Sequence, residues 1–273
     1  MRMPSPRRLM LLSGLAVALV VAMPSSAPAA DVHPEYNGFL RTGKYALRKG
    51  RQRERAEIYH SRRCAAFLIL GSSYGKPIML SPRTQTIQEA RPQDVVVASD
   101  GSRALTTTAQ LKNLGRMRRN RQTIQIQVPS YTAALVPNPP LLGWAGRTEM
   151  TEHTPEYAQT AERYKPDAAA IRALVKPNEP IQVYVYFGSW CHTCSTLLGA
   201  IIRVEQELEG SGITFRYYGL PKPPAMYRDK EVRTRGIKKL PTGLIYSGNK
   251  LLGQVVSTTW QRPEAALRKV LGR

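Results

Sequence analysis

The sequence predicts a two-part chain. An α/β domain, a mixed sheet flanked by helices, forms the C-terminus; a smaller β-rich domain precedes it, behind an N-terminal signal peptide. Three observations predict this. Residues 179–273 alternate strand-like and helix-like patterns in the order β-α-β-α-β-β-α, which puts parallel strands and an antiparallel hairpin in one sheet. Residues 58–150 carry short apolar or alternating runs separated by turn residues. Residues 1–30 have a charged start, an apolar middle and a small-residue end.

Arg2, Arg7 and Arg8 supply the positive start, residues 9–23 are apolar except for Ser13 and Gly14, and Ala27-Pro28-Ala29 places small residues where a signal peptidase reads them. This is the pattern of a secretory signal peptide cut after Ala29 or Ala30. The apolar run of 15 residues is short of the ~20 that a membrane span needs, so an anchor is the weaker reading. No cysteine lies near the cleavage site, which argues against a lipid-modified N-terminus. The expected location is outside the cytoplasm, in a bacterial periplasm.

The 273 residues contain 40 Lys+Arg against 19 Asp+Glu, and the net charge of +21 becomes +18 without the three signal arginines. Such charge often accompanies nucleic acid, but export argues against that partner and no nucleic-acid motif is present, so none is expected. The basic residues gather at 44–63 and 116–121. A solvated surface is the plain reading; docking on an anionic envelope surface or an acidic partner is the sharper one. Three cysteines are too few for a disulfide-stapled mini-domain. Cys191 and Cys194 pair naturally. Cys64, left over, reads as a buried inert thiol, with exchange with the motif or a bridge between two chains as the alternative.

In chain order, residues 31–57 form a basic N-terminal segment, partly helical in pattern, with little core. In 58–150, residues 65–70 read as one strand and 77–80 begin another. Residues 95–99 and 102–108 read as a hairpin, because Asp100-Gly101 supplies the positive φ of a tight turn. Residues 123–128 alternate strictly, as a half-buried strand does; residues 131–136 and a Pro-rich stretch follow. The expectation is a small sandwich or barrel with no catalytic constellation and no assigned role. Residues 151–178 read as a helical connector, with helix formers at 157–164 and 167–175, ending near Lys176-Pro177.

In 179–273, residues 181–187 form an apolar strand. Residues 191–209 carry Leu197, Leu198, Ile201, Ile202, Val204 and Leu208 on a helical period, closed by Gly210. Residues 213–218 are a strand, 222–235 loop and helix, and 242–247 with 251–257 a hairpin around Gly248-Asn249. Residues 263–271 are a last helix.

Trp190-Cys191-His192-Thr193-Cys194 stands between that apolar strand and the following helix. Two cysteines separated by two residues can open and close as a disulfide, and a helix N-terminus stabilises the reactive thiolate. Cys191, at the helix start, is the expected nucleophile, and Cys194, one turn in, the resolving thiol.

With Phe187-Gly188-Ser189 before that motif and Gly236-Ile237-Lys238-Lys239-Leu240-Pro241-Thr242 after it, the C-terminal third of the chain resembles the thioredoxin-fold family. The resemblance implies a cis Pro241 packed beside the dithiol and Leu240 offering backbone groups to an extended substrate. Trp190 and Pro241 would shape the apolar contact around the cysteines. It further implies a secreted thiol-disulfide oxidoreductase that exchanges disulfides with exported proteins. Residues 216–221 and 260–264 look like those of secreted bacterial thioredoxin-like proteins. One departure is Val185, where general reductants of the family carry a buried acid. The middle pair His192-Thr193 is a second departure; a protonated His192 favours the thiolate and pushes the pair toward an oxidant, which leaves the direction of electron flow open. No family resemblance extends before residue 154.

Two other classes compete. Cys191 and Cys194 with His60 and Cys64 could hold zinc, or the dithiol alone could carry copper. The basic region could instead do the work as a docking protein, with the C-terminal domain as a redox-sensitive clasp. Haem attachment is excluded, because Ser195 follows Cys194. The expected partners are protein thiols and disulfides and a membrane redox protein; no cofactor and no resident metal are expected.

Overall fold

The computed structural model describes residues 31–175 and 179–273. The signal peptide expected over 1–30 and the connector's end at Lys176-Pro177 lie outside the described residues.

The first part is built from strands: β1 (Leu40–Arg41), β2 (Tyr45–Lys49), β3 (Gln52–Arg53), β4 (Glu57–Ser61), β5 (Ala66–Leu70), β6 (Ile78–Ser81), β7 (Thr86–Glu89), β8 (Val95–Val97), β9 (Arg103–Leu105), β10 (Lys112–Arg116), β11 (Arg118–Asn120), β12 (Thr123–Val128) and β13 (Tyr131–Pro137). They form a six-stranded sheet, β1-β4-β5-β6-β7-β10, and a five-stranded sheet, β11-β12-β13-β2-β3. Ile58, Phe67, Ile69 and Ile78 of the first meet Leu47, Ile124, Ile126 and Leu135 of the second in one core, so the two sheets make a sandwich. The β8–β9 hairpin lies on the other side of the six-stranded sheet, where Leu105 joins Phe39, Tyr59, Leu68 and Met79. Side chains alternate faces along a strand. Phe67 and Ile69 therefore enter one core and Ala66 and Leu68 the other, which explains why this stretch is apolar throughout.

The partly helical, core-poor segment expected over 31–57 is instead strand. Gly50, at φ 60°, opens the two-residue turn that pairs Lys49 with Gln52, a conformation glycine adopts without steric cost. Phe39 and Leu47 are buried core residues, and the charged side chains of Arg48, Lys49 and Arg53 stay exposed.

The second part comprises β14 (Gly143–Ala145), α1 (Arg147–His153), α2 (Glu156–Arg163), α3 (Ala168–Leu174), β15 (Ile181–Phe187), α4 (His192–Glu207), β16 (Ile213–Gly219), α5 (Lys230–Arg235), β17 (Thr242–Ser247), β18 (Lys250–Val256) and α6 (Pro263–Leu271). Its sheet runs β14-β16-β15-β17-β18. β15 and β16 are parallel, and the other pairs are antiparallel. β14 and the start of α1 fall inside the stretch read as β-rich to residue 150. β14 belongs instead to the sheet of β15 to β18, where Trp144 pairs with Tyr218.

Val183, Val185 and Phe187 of β15 bury with Leu198, Ile201 and Ile202 of α4. On the opposite face Trp144 meets Tyr184, Tyr186 and Tyr218 edge to face at 5.4, 6.2 and 4.9 Å. α2 crosses α4 at Gly199, where a Cβ would lie 2.4 Å from Thr160 Cβ and 2.9 Å from the Tyr157 carbonyl oxygen. The same helix ties the sandwich down: the Glu156 carboxylate accepts from Thr42 Oγ1 at 2.6 Å and from the Gly43 N–H at 3.0 Å. Among the described residues no helix is long and apolar enough to cross a membrane.

Candidate redox site

β15 delivers the chain into a short loop that several bonds hold. Leu220 N–H donates to the Phe187 carbonyl at 2.8 Å and Cys191 N–H to the Gly188 carbonyl at 2.9 Å. Trp190 Nε1 donates to the Leu220 carbonyl at 2.8 Å. The indole lies against Gly188, where a Cβ would sit 2.6 Å from the ring. From the segment before β14, Leu141 N–H donates to Ser189 Oγ at 3.0 Å.

Cys191 then caps α4. Its backbone is extended, at φ −82° and ψ 125°, and its sulfur accepts the Cys194 N–H at 3.4 Å, the N-cap geometry with sulfur in place of oxygen. The next turn is tied by Ser195 Oγ and Thr196 Oγ1, which donate to the His192 carbonyl at 2.6 and 3.2 Å. Cys191 is half-buried and Cys194 has no exposed surface. His192 is exposed and Thr193 half-buried.

The environments drive the two thiols apart. A hydrogen bond from the Cys194 thiol, helped by the backbone N–H groups of Cys194 and Thr193 and by the charge of His192, outweighs burial and lowers the Cys191 pKa from 9.0 to about 6. Burial first, and the neighbouring Cys191 second, push Cys194 far up. One negative charge is thus shared by the pair, on the outer sulfur, and one proton stays on the inner one.

The register Tyr186↔Thr242 places Pro241 opposite Phe187, at the sheet end from which the motif leaves. The Leu240–Pro241 bond is cis, and the Pro241 carbonyl accepts the Ser257 N–H at 2.7 Å. The Leu240 side chain packs into the core; among the described residues nothing takes up its backbone N–H or carbonyl. Trp190, Cys191, His192, Thr193, Cys194, Leu240 and Pro241 therefore share one end of one sheet. Val185 is buried in β15.

The residues considered for a metal are placed elsewhere. His60 lies in β4, its ring 4.7 Å from that of Phe67, and Cys64 packs on the second sandwich core. Cys64 is half-buried, where a buried thiol was expected, because the turn after β4 leaves it at the rim of that core. Among the described residues no three Cys, His, Asp or Glu side chains converge.

One neighbour has no signal in the sequence. Tyr157, on α2, is wholly buried in the core that holds Cys194, and its hydroxyl has no hydrogen-bond partner.

No protein-family model matches the chain, and no curated protein matches it. Solved structures match in part. Thioredoxin f2 of Chlamydomonas reinhardtii is 14% identical over 36% of this chain and 85% of its own, at a TM-score of 0.27. A Pseudomonas aeruginosa protein of unknown function is 16% identical over 47% and 84%, at 0.35. Spinach chloroplast thioredoxin f is 20% identical over 34% and 71%, at 0.26.

Proposed function

We propose that the chain is an extracytoplasmic thiol-disulfide oxidoreductase acting through the Cys191-His192-Thr193-Cys194 dithiol. The observation that carries this reading is the asymmetry of the pair: a half-exposed sulfur with its pKa near 6 on a helix N-terminus, and a sealed, protonated partner one turn inward. The Cys191 thiolate attacks a substrate disulfide, forming a mixed disulfide and expelling one substrate thiolate. Cys194 then loses its proton and attacks Cys191, closing the intramolecular disulfide and releasing the second substrate thiol. Run backwards, the oxidised pair takes two electrons from a substrate dithiol. The unused backbone groups of Leu240 would hold an extended substrate strand, giving affinity with little side-chain selectivity.

Export, the periplasmic setting and exported protein substrates rest on the signal pattern of residues 1–30. The exposed arginines of β3 and β11, at opposite edges of the five-stranded sheet, support the idea that the sandwich docks an anionic envelope surface or a membrane redox partner.

The test is turnover of a protein disulfide by the mature chain with dithiothreitol as electron source. Catalysis by the native chain and none by Cys191→Ser supports the reading; a rate equal to the uncatalysed reaction removes it.

A further inference from the structure

The weak point of the cycle is its second half. Cys194 must ionise where water does not reach, and β15 lines that core with apolar Ile181, Val183, Val185 and Phe187 and with Tyr186, whose hydroxyl is already given to Glu231 at 3.0 Å. The groups shifting Cys194 are burial, Cys191, and the backbone of Gly188 and of Cys194 itself; no side chain other than that of Cys191 is among them.

α2 places one unspent donor in this core. Tyr157 is fully buried. It is held by the tight contact of α2 on α4 at Gly199, and its hydroxyl is left without a hydrogen-bond partner. A buried orphan hydroxyl costs about 1–3 kcal/mol, and a phenylalanine of the same shape would avoid that cost. Thr154 Oγ1, which also meets His153 Nδ1 at 2.9 Å, is near enough to draw the phenol's pKa down but does not complete a hydrogen bond to the hydroxyl. Glu156, next in sequence, has its carboxylate taken by Thr42 and Gly43.

We propose that the Tyr157 hydroxyl donates a hydrogen bond to the Cys194 sulfur as that sulfur ionises, so that the helical connector supplies the donor the resolving step needs. The proposal rests on the dithiol reading above and adds to it a residue that precedes the 179–273 segment in sequence. In the step itself the Cys194 S–H bond breaks, the Cys194–Cys191 bond forms, and the bond from Cys191 to substrate sulfur breaks. The proton ends on the departing substrate thiol, and Tyr157 keeps its own. The phenol already feels both sulfurs: after burial, the charge of Cys194 is the next largest influence raising its pKa, and Cys191 contributes further.

The test separates the two half-reactions. A bis(nitrobenzoate) disulfide is mixed with the reduced mature chain in a Cys64→Ser background. The first coloured thiolate reports attack by Cys191, and the second reports resolution by Cys194. Tyr157→Phe should leave the first release unchanged and should raise the melting temperature, since it removes the unpartnered hydroxyl. It should slow the second about tenfold, the loss expected for a hydrogen bond to a charged group, and move its pH profile upward. A fluorinated tyrosine at the same position, a stronger donor of nearly the same shape, should speed the second release. A second release that neither change alters overturns the proposal while leaving the dithiol reading intact. Absence of the first release in the unsubstituted chain removes both.

Discussion

The Cys194 backbone N–H points at the Cys191 sulfur across 3.4 Å, while the Cys194 thiol is itself sealed in the core. One residue thus stabilises the outer thiolate twice, through its N–H and through its S–H, and is in turn held protonated by burial.

The first prediction ranks these influences. Thiolate absorbance of the reduced mature chain should titrate near pH 6, the value set for Cys191. Cys194→Ala should raise that midpoint most, because the Cys194 thiol is the leading cause of the depression; His192→Ala should raise it less, because the exposed imidazole contributes last. The reverse ranking would contradict the geometry.

The same shift gives stability a pH dependence of known sign. The Cys191 pKa is depressed on folding, from 9.0 to about 6. The reduced chain therefore gains stability that is fully present above pH 9 and is lost as pH falls through 6. Denaturant midpoints of the reduced native chain should rise over that window relative to those of Cys191→Ser, which has no such thiolate. Parallel curves would show that the depression is absent.

Gly199 is the contact through which α2 reaches the motif helix. In Gly199→Val the new side chain meets Thr160 and the Tyr157 backbone, whose atoms lie within 3 Å of the first added carbon. Overpacking of this kind costs about 1–3 kcal/mol. Thermal unfolding should register that loss, whereas Gly210→Ala, at a site with open space, should be limited to the strain of a positive φ.

Glu264 binds the connector to the last helix. Its buried carboxylate accepts from Tyr164 Oη at 2.9 Å and from the Asp167 N–H at 3.3 Å. Glu264→Ala orphans the Asp167 N–H and leaves Tyr164 Oη only the Gln261 carbonyl at 3.5 Å, and should cost about 1–3 kcal/mol, while Glu264→Gln, which keeps an acceptor, should cost less. Equal losses in a melting experiment would mean that packing, not the carboxylate, makes the joint.

Elements whose signal is local were legible in the sequence. Residues 123–128 alternate and form β12; 263–271 carry a helical period behind a proline and form α6. The motif could be read because strand, loop, cysteines and helix are contiguous. What escaped depends on distant partners. β14 is three residues beside a Pro-rich stretch, and it is a strand only because Tyr217 and Tyr218 offer it a sheet edge. β1 to β3 are short and charged, and their only buried residues, Ala46 and Leu47 of β2, stand beside exposed Arg48 and Lys49. Tyr157 is an ordinary aromatic in an amphipathic helix until the fold buries it in the core that also holds Cys194.

The most direct measurement is a redox-buffer titration of the mature chain followed by tryptophan fluorescence, Trp190 being next to the pair. The account predicts one reversible two-electron couple that disappears in Cys191→Ser. With the reduced form stabilised as a thiolate, its potential should lie above the ~−270 mV of thioredoxin. No reversible couple, or one that survives in Cys191→Ser, would contradict it.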